Sequence, residues 1–414
     1  MMYVSAVLRI FLVSLSTLIL VGCGGSSSNN EAPGARSLVV SGQVMAPDGE
    51  TPLSFATVYV GDNSAANRAA QTDACAVPSA GNFNYVCADE EGRFSITVDF
   101  DGSEAETLYF EKGAFLFTQS VSTSSSDAVQ LGVISMATDA AKIAVVTGDY
   151  DNLEYVVANS GFGTLEQDPD TFDWVFASRD FDIYSGYESE EGYDFYGDLF
   201  EIDPDTSKAT IFNYDIVLIN CGVNEILIDV DEDEDAQSRI AVLRSFVAEG
   251  GRLVATDWSY DFVEQAFPEY IDFFGDDGLS YDQPESLSIA EVGEGAETLT
   301  AQVNDSQLAA FLGSVACSTD DGTCIDENNH IVLHHLSVFW SIMNEIHSEM
   351  ADSVTDLVSG DVDIEGEIEH RVLTVLIEHG EGAVLFSSYH VEEEDFTPGE
   401  WTAQERIIQY LLLQ

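Results

Sequence analysis

The stretch Gly250 to Pro268, GGRLVATDWSYDFVEQAFP, sets two glycines, a short apolar run and a polar turn directly ahead of an amphipathic segment. That order reads as strand, turn, helix. In an open α/β sheet, ligands meet the protein just beyond the carboxyl ends of the strands, so Asp257, Trp258 and Ser259 are the first candidates for ligand binding. A second apolar run, Gly382 to Tyr389 (GAVLFSSY), ends in His390-Val391-Glu392. Function turns on whether these two turns meet, and His390 joins the ligand-binding candidates.

The same alternation extends to either side. Lys142 to Gly148 (KIAVVTG) and Tyr214 to Asn220 (YDIVLIN) are continuous apolar runs of the kind buried on both faces of a parallel sheet. Asn152 to Ser160 reads as a helix after the first run. Ala236 to Glu249 places Ile240, Leu243, Phe246 and Val247 on one helical face, and Gly250-Gly251 ends it. Arg371 to Ile377 and Ala383 to Ser388 are further strands, and Ala403 to Leu413 a closing helix. Residues 141–414 are therefore expected to form a doubly wound, flavodoxin-like parallel sheet, with a Gly- and Asp-rich insertion at about 269–338.

Residues 38–136 carry only β signals. Phe94, Ile96, Val98 and Phe100 alternate with Ser95, Thr97 and Asp99, the period of a half-buried strand, and Pro47-Asp48-Gly49 and Asp89-Glu90-Glu91-Gly92 are turns. The chain thus reads as multidomain, a small all-β sandwich followed by an α/β unit, and 414 residues with 45% hydrophobic content suffice for both cores. The spacing Gly42, Val44, Gly49, Pro52, Leu53, Ala56, Val58, then Asp89, Gly92, Phe94, Ile96, resembles the carboxypeptidase regulatory-like domain. That resemblance implies a prealbumin-like sandwich without catalytic groups, a spacer or binding module, with Asp62 to Cys87 as an insertion.

The N-terminus is a targeting segment. Arg9 precedes an apolar run, Ile10 to Leu20, too short to span a bilayer, and Leu20-Val21-Gly22-Cys23 follows. This resembles the bacterial lipoprotein signal. It implies that 1–22 is a signal peptide, that Cys23 carries the lipid and that 23–37 is a flexible tether. Gly24, where inner-membrane lipoproteins of some bacteria carry Asp, favours the outer membrane. In that oxidising compartment Cys75 with Cys87 and Cys317 with Cys324 each bracket a short polar loop and are expected as disulfides, leaving Cys221 alone.

With 13 Lys and Arg against 75 Asp and Glu, the net charge of −62 argues against nucleic acid and anionic membrane surfaces as partners. A solvated acidic surface accounts for most of it. The Debye length is about 3 Å at 1 M salt against about 10 Å at 0.1 M, so a saline setting relieves the repulsion.

The run YDIVLINCG, then LRSFVAEGGRLVATDWSYD, then GAVLFSSYHVE resembles the class I glutamine amidotransferase-like fold, including its trehalose-utilisation-type members. In catalytic members a Cys occupies the turn after the strand matching Arg252 to Thr256, and a His-x-Glu pair follows a late strand. Here His390 and Glu392 keep that pair, but the turn reads Thr256-Asp257-Trp258-Ser259 and has no Cys. A carboxylate is a poor acyl acceptor in water, so the resemblance implies the fold without its glutaminase activity.

The remaining catalytic candidates are Cys221, which precedes the His-x-Glu in thiol-triad order but one strand too early, and Ser259, which lacks a Gly-x-Ser-x-Gly setting. Buried hydrophobe is the plain reading of Cys221. Asp229 to Asp235 alternates carboxylates as a calcium loop begins, yet has no Gly at the sixth position and Ile240 where a closing Glu belongs. His330 and His334 have the i,i+4 spacing of a helical zinc site without an intervening Glu. The aromatic, acidic run Asp173 to Phe200 suits sugar or peptide stacking, or a lid over the crevice.

Three functions remain: a lipid-anchored envelope binding or scaffolding protein with a non-catalytic amidotransferase-like domain, an envelope glycan or peptide hydrolase using His390 with Cys221 or Asp257, and a calcium-dependent adhesion module. The first leads. Its expected partners are the membrane, through the lipid on Cys23, and an envelope glycan or protein, with no cofactor unless Ca2+ occupies the acidic loops.

Overall fold

The computed structural model describes residues 36–60, 75, 84–100, 105–122, 128–188, 192–230, 232–275, 279–318, 322–336, 338–364, 366–391 and 397–414. Cys23 and Glu392, the expected lipidation site and His-x-Glu partner, lie outside these, as does Asp231. The protein is β-rich and multidomain, with few helices. No helix among the described residues is long and apolar enough to cross a membrane.

Seven strands come first: β1 (Arg36–Met45), β2 (Thr57–Val60), β3 (Asn84–Cys87), β4 (Arg93–Phe100), β5 (Ala105–Lys112), β6 (Phe115–Ser122) and β7 (Ala128–Ser135). They form two sheets, β4-β1-β7 and β3-β2-β5-β6. The alternation of β4 buries Phe94, Ile96, Val98 and Phe100 and exposes their neighbours, because a pleated strand sends successive side chains to opposite faces. Phe94 meets Phe110 of the other sheet edge to face at 5.4 Å, so the sheets share one core. A disulfide joins Cys75 to Cys87, and a second joins Cys317 to Cys324.

The second part begins with β8 (Ile143–Thr147) and the short helix α1 (Leu153–Val157). The helix expected over Asn152 to Ser160 is real but widens, since Ala158–Phe162 continues it as a π turn in which Gly161 leaves helical geometry. A hairpin, β9 (Gly163–Gln167) and β10 (Trp174–Arg179), leads to β11 (Asp182–Ser185), β12 (Asp194–Phe195) and β13 (Ile216–Ile219). Helix α2 (Ala236–Ala248), β14 (Arg252–Thr256), a 3-10 turn over Asp257–Ser259 and α3 (Tyr260–Ala266) then realise the strand, turn and helix of Gly250 to Pro268.

Residues 269–338, expected as an insertion, supply β15 (Ile271–Phe273), β16 (Glu291–Gly293), β17 (Ala296–Val303), α4 (Ser306–Ser314) and β18 (His330–Leu336). After them come β19 (Trp340–Ser341), β20 (Met343–Ile346), β21 (Val354–Ile364), β22 (Glu367–His379), β23 (Gly382–Ser387) and α5 (Ala403–Leu412). One sheet takes most of these strands in the order β12-β11-β8-β13-β14-β23-β22-β21-β16-β19, with β17 and β18 attached at β21. The first six are mutually parallel and the rest antiparallel. The sheet is thus mixed rather than parallel throughout. Two tight reversals, at β21-β22 and β22-β23, replace the helical crossovers that a doubly wound sheet requires.

His330 and His334 lie in β18, which overturns the helical zinc pairing. Four residues along a strand span about 13 Å, too far for two imidazoles to share an ion. The acidic loop also departs from a calcium site: Asp233 pairs with Arg239 at 2.9 Å.

Helix α5 joins the two parts. All ten of its residues are buried, and a Thr402–Glu405 capping box starts it. Gln409 donates to Asp48, Thr51 and Ser160 at 3.2 to 3.4 Å, and Arg406 reaches Thr51 at 3.2 Å while stacking on Trp401 at 4.1 Å. The Pro47–Thr51 loop of the sandwich is thereby wedged against α1 and α5.

Candidate functional site

Strands β8, β13, β14 and β23 are adjacent and parallel, so their carboxyl ends open on one edge of the sheet. Asp151, Cys221, Asp257 and His390 all come from the chain just past those ends. The register that pairs Ile219 with Ala255 and Thr256 with Ser387 sets the four turns side by side.

Asp257 occupies the sharp turn between β14 and α3 with φ of 42°, a left-handed conformation uncommon for a residue with a Cβ. Its carboxylate is held from three sides. Ser341 N donates to Oδ1 at 2.7 Å, His390 Nδ1 meets Oδ2 at 3.0 Å and Cys221 Sγ donates to Oδ2 at 3.5 Å. Ser341 Oγ also donates to the Asp257 carbonyl at 3.0 Å. With a carboxylate facing Nδ1, the imidazole carries its proton on that nitrogen. Asp257 and Cys221 are 1% exposed and His390 7%, so the cluster is closed to solvent.

The expected residues therefore divide. Cys221, Asp257 and His390 converge, with one ligand atom each inside 4.8 Å. Sulfur, oxygen and imidazole nitrogen are a donor set that zinc accepts, although each of these atoms already serves a hydrogen bond within the cluster. Ser259 turns away, its hydroxyl given to the Asn220 carbonyl. Trp258 points outward: its Nε1 donates to Phe339 O at 2.7 Å and its ring packs edge to face on Tyr150 at 4.8 Å. Tyr150 is 49% exposed and Phe339 61%, so exposed aromatic side chains flank Trp258 beside the closed cluster. From the Asp173 to Phe200 run, Tyr187 reaches this edge, donating to Asp149 at 2.9 Å and Gly222 O at 2.7 Å, whereas Tyr196 is core.

Neither a known protein family nor a curated protein matches the chain. Among solved structures it is similar to a cytoplasmic protein from Salmonella typhimurium LT2, at 12% identity and TM-score 0.34, over 65% of this chain and 99% of that one. An exo-β-1,4-mannosidase from Opitutaceae bacterium strain TAV5 is similar at 11% identity and TM-score 0.24, over 60% of this chain and 31% of that one. At these values neither likeness bears on fold or activity.

Three participants escape sequence reading. Asp151 accepts from Asn152 N at 2.9 Å and Val391 N at 3.0 Å and receives the Thr256 hydroxyl, tying β8, β14 and β23 together. Its place just after the apolar run of β8 is a signal that could have found it. Ser341 and Phe339 carry no such signal, because only the antiparallel half of the sheet, through β19, brings them over the Asp257 turn.

Burial dominates the electrostatics. It pushes the Cys221 thiol well above its ordinary value, and the charges of Asp257 and Asp151 push the same way, so the sulfur stays protonated and weakly nucleophilic. Asp151 is pushed up to about 6 by burial, against the opposing pull of His390. Burial also raises Glu264 to about 8 and the half-buried Glu291 to about 7. Carboxyls with raised folded values bind protons more tightly folded than unfolded. Their stabilisation is complete below about pH 4 and is lost as pH climbs through 6 to 8. Stability should therefore rise, on the order of a few kcal/mol, when pH falls from 7.5 to 5. Lys112, lowered to about 8 by burial, opposes this only near and above that pH. Urea midpoints at constant ionic strength test the sign, and a midpoint that falls on acidification contradicts it.

Proposed function

We propose that the chain is a lipid-anchored envelope protein whose second part is an amidotransferase-like domain that binds a ligand and does not cleave it. Leaving aside the two-residue edge strand β12, the parallel strands taken in chain order β8, β11, β13, β14, β23 lie in the order 2-1-3-4-5, which is that of flavodoxin-like sheets and supports the kinship. The regulatory-like sandwich would act as spacer, and the lipid on Cys23 with the tether over 23–37 would hold both at the outer membrane.

The observation that carries the binding reading is the state of Asp257. On the turn where catalytic relatives would present a thiolate, this chain presents a buried carboxylate already held by Ser341, His390 and Cys221. A nucleophile must be free to meet an acyl carbon, and this one is enclosed. Cys221 fares no better as a rival, since its proton is directed to Asp257 and burial disfavours the thiolate. Tyr150, Trp258 and Phe339 are the accessible part, and exposed aromatic faces suit the apolar faces of a sugar or a peptide.

The test pairs turnover with binding. Incubated with glutamine, p-nitrophenyl acetate or soluble peptidoglycan fragments, the soluble protein should release no product above the level of the Cys221→Ser variant. The peptidoglycan fragments should change tryptophan fluorescence saturably, and Trp258→Ala should weaken that response at least tenfold. Product release that disappears with Cys221→Ser or His390→Ala would establish the hydrolase instead.

A further inference from the structure

Helix α3 carries buried acids of its own, Asp261 and Glu264, away from the strand ends. Glu264 is 3% exposed, its Oε1 accepts from Glu285 N at 3.0 Å, and its Oε2 has no hydrogen-bond partner among the described residues. Buried polar atoms are nearly always paired, so an orphaned carboxyl oxygen points to a missing donor. Glu264 lines a cavity of about 490 Å3 together with Asp272, Glu285, Glu345, Glu349 and His347. Among the described residues, five carboxyl groups and no Lys or Arg face this space.

The arrangement distinguishes between kinds of cation. An inorganic ion draws its ligand atoms to one point, within about 2.6 Å of itself for calcium. Among the described residues, Cys221, Asp257 and His390 are the one group of three or more such ligands that converges in this way. The carboxyls of the cavity are spread out, and so suit a cation whose charges are also spread out. The volume is that of a small-molecule site, and the Tyr281 and His347 rings, edge to face at 5.8 Å, add apolar surface to its wall.

We propose that this cavity binds a small organic polycation of the diamine or polyamine class, with the Glu264 carboxyl facing one ammonium group and the exposed Glu345 and Glu349 facing another. Burial, with the neighbouring Glu285 and Asp272 charges, holds Glu264 up at about 8, so a positive partner at this position is favoured. The ammonium would supply the donor that Oε2 lacks. The inference is independent of the crevice at Asp257.

Calorimetric titration with putrescine and spermidine in 0.5 M NaCl tests it, the salt suppressing loose association with a surface of net charge −62. One saturable site is expected, at least tenfold weaker in Glu264→Gln and unchanged in Asp170→Asn, an exposed acid elsewhere. Equal binding by Glu264→Gln and the unaltered protein would reduce the effect to surface charge and overturn the proposal. So would the absence of saturable binding, or calcium displacing the polyamine one for one at this site. Should Glu264→Gln fail to fold, the exposed Glu345→Gln carries the test: about threefold weaker binding supports the site, and unchanged affinity refutes it.

Discussion

Asp257→Ala is expected to cost about 3 to 5 kcal/mol of folding stability, the range for removing one partner of a buried charged network. The substitution strips the acceptor from the Ser341 N–H, from His390 Nδ1 and from the Cys221 thiol at once, and each is left where water does not reach. It also leaves a Cβ at a φ of 42° without the hydrogen bonds that hold the turn there. Asp257→Asn should cost less, because its remaining oxygen can still accept from Ser341. Urea denaturation of the two variants measures the difference. A loss below about 1 kcal/mol for Asp257→Ala, the value of an ordinary hydrogen bond, would mean that the carboxylate does not tie the sheet edge together.

The second large effect concerns the junction between the two parts. Gly161 breaks the π turn after α1 with φ of 96°, and a Cβ placed on it would stand 2.1 Å from Asp48 N and 2.4 Å from the Pro47 carbonyl carbon. Backbone cannot yield by that much. Gly161→Val therefore combines a conformation that side chains avoid with a direct collision between the turn after α1 and the Pro47–Thr51 loop. We expect the loop to be expelled, breaking the contacts that Gln409 and Arg406 make with Asp48 and Thr51. Calorimetry should then show the sandwich and the mixed sheet melting as two transitions where the unaltered protein shows one. A single transition at an unchanged temperature would show that the junction is loose.

What could be read from the residues followed from local rules. The period of two in Phe94 to Phe100, the apolar runs that became β8, β13, β14 and β23, and the strand, turn and helix around Asp257 are each decided by neighbours in the chain. Both disulfides close loops short enough to see in sequence. The antiparallel half of the large sheet was not legible, because an apolar run such as Val372 to Ile377 looks the same whether its partner runs parallel or antiparallel. HIVLHH offers the i,i+4 spacing of a helix, yet β18 takes it as a strand paired with β17. That same half of the sheet brings Ser341 and Phe339 over the Asp257 turn, so the closure of the site was out of reach of motif reading while its centre was not.

The reactivity of Cys221 tests the account most directly. A thiol-reactive probe applied to the folded protein should label it slowly, at a rate that follows unfolding, because the sulfur is buried and held protonated beside two carboxyls. The rate should rise steadily with pH and show no titration near neutrality, and His390→Ala, if it stays folded, should not slow it. Rapid labelling of the native state, with a titration near pH 7 that His390→Ala abolishes, would contradict a closed binding turn and make Cys221 and His390 a nucleophile and its base.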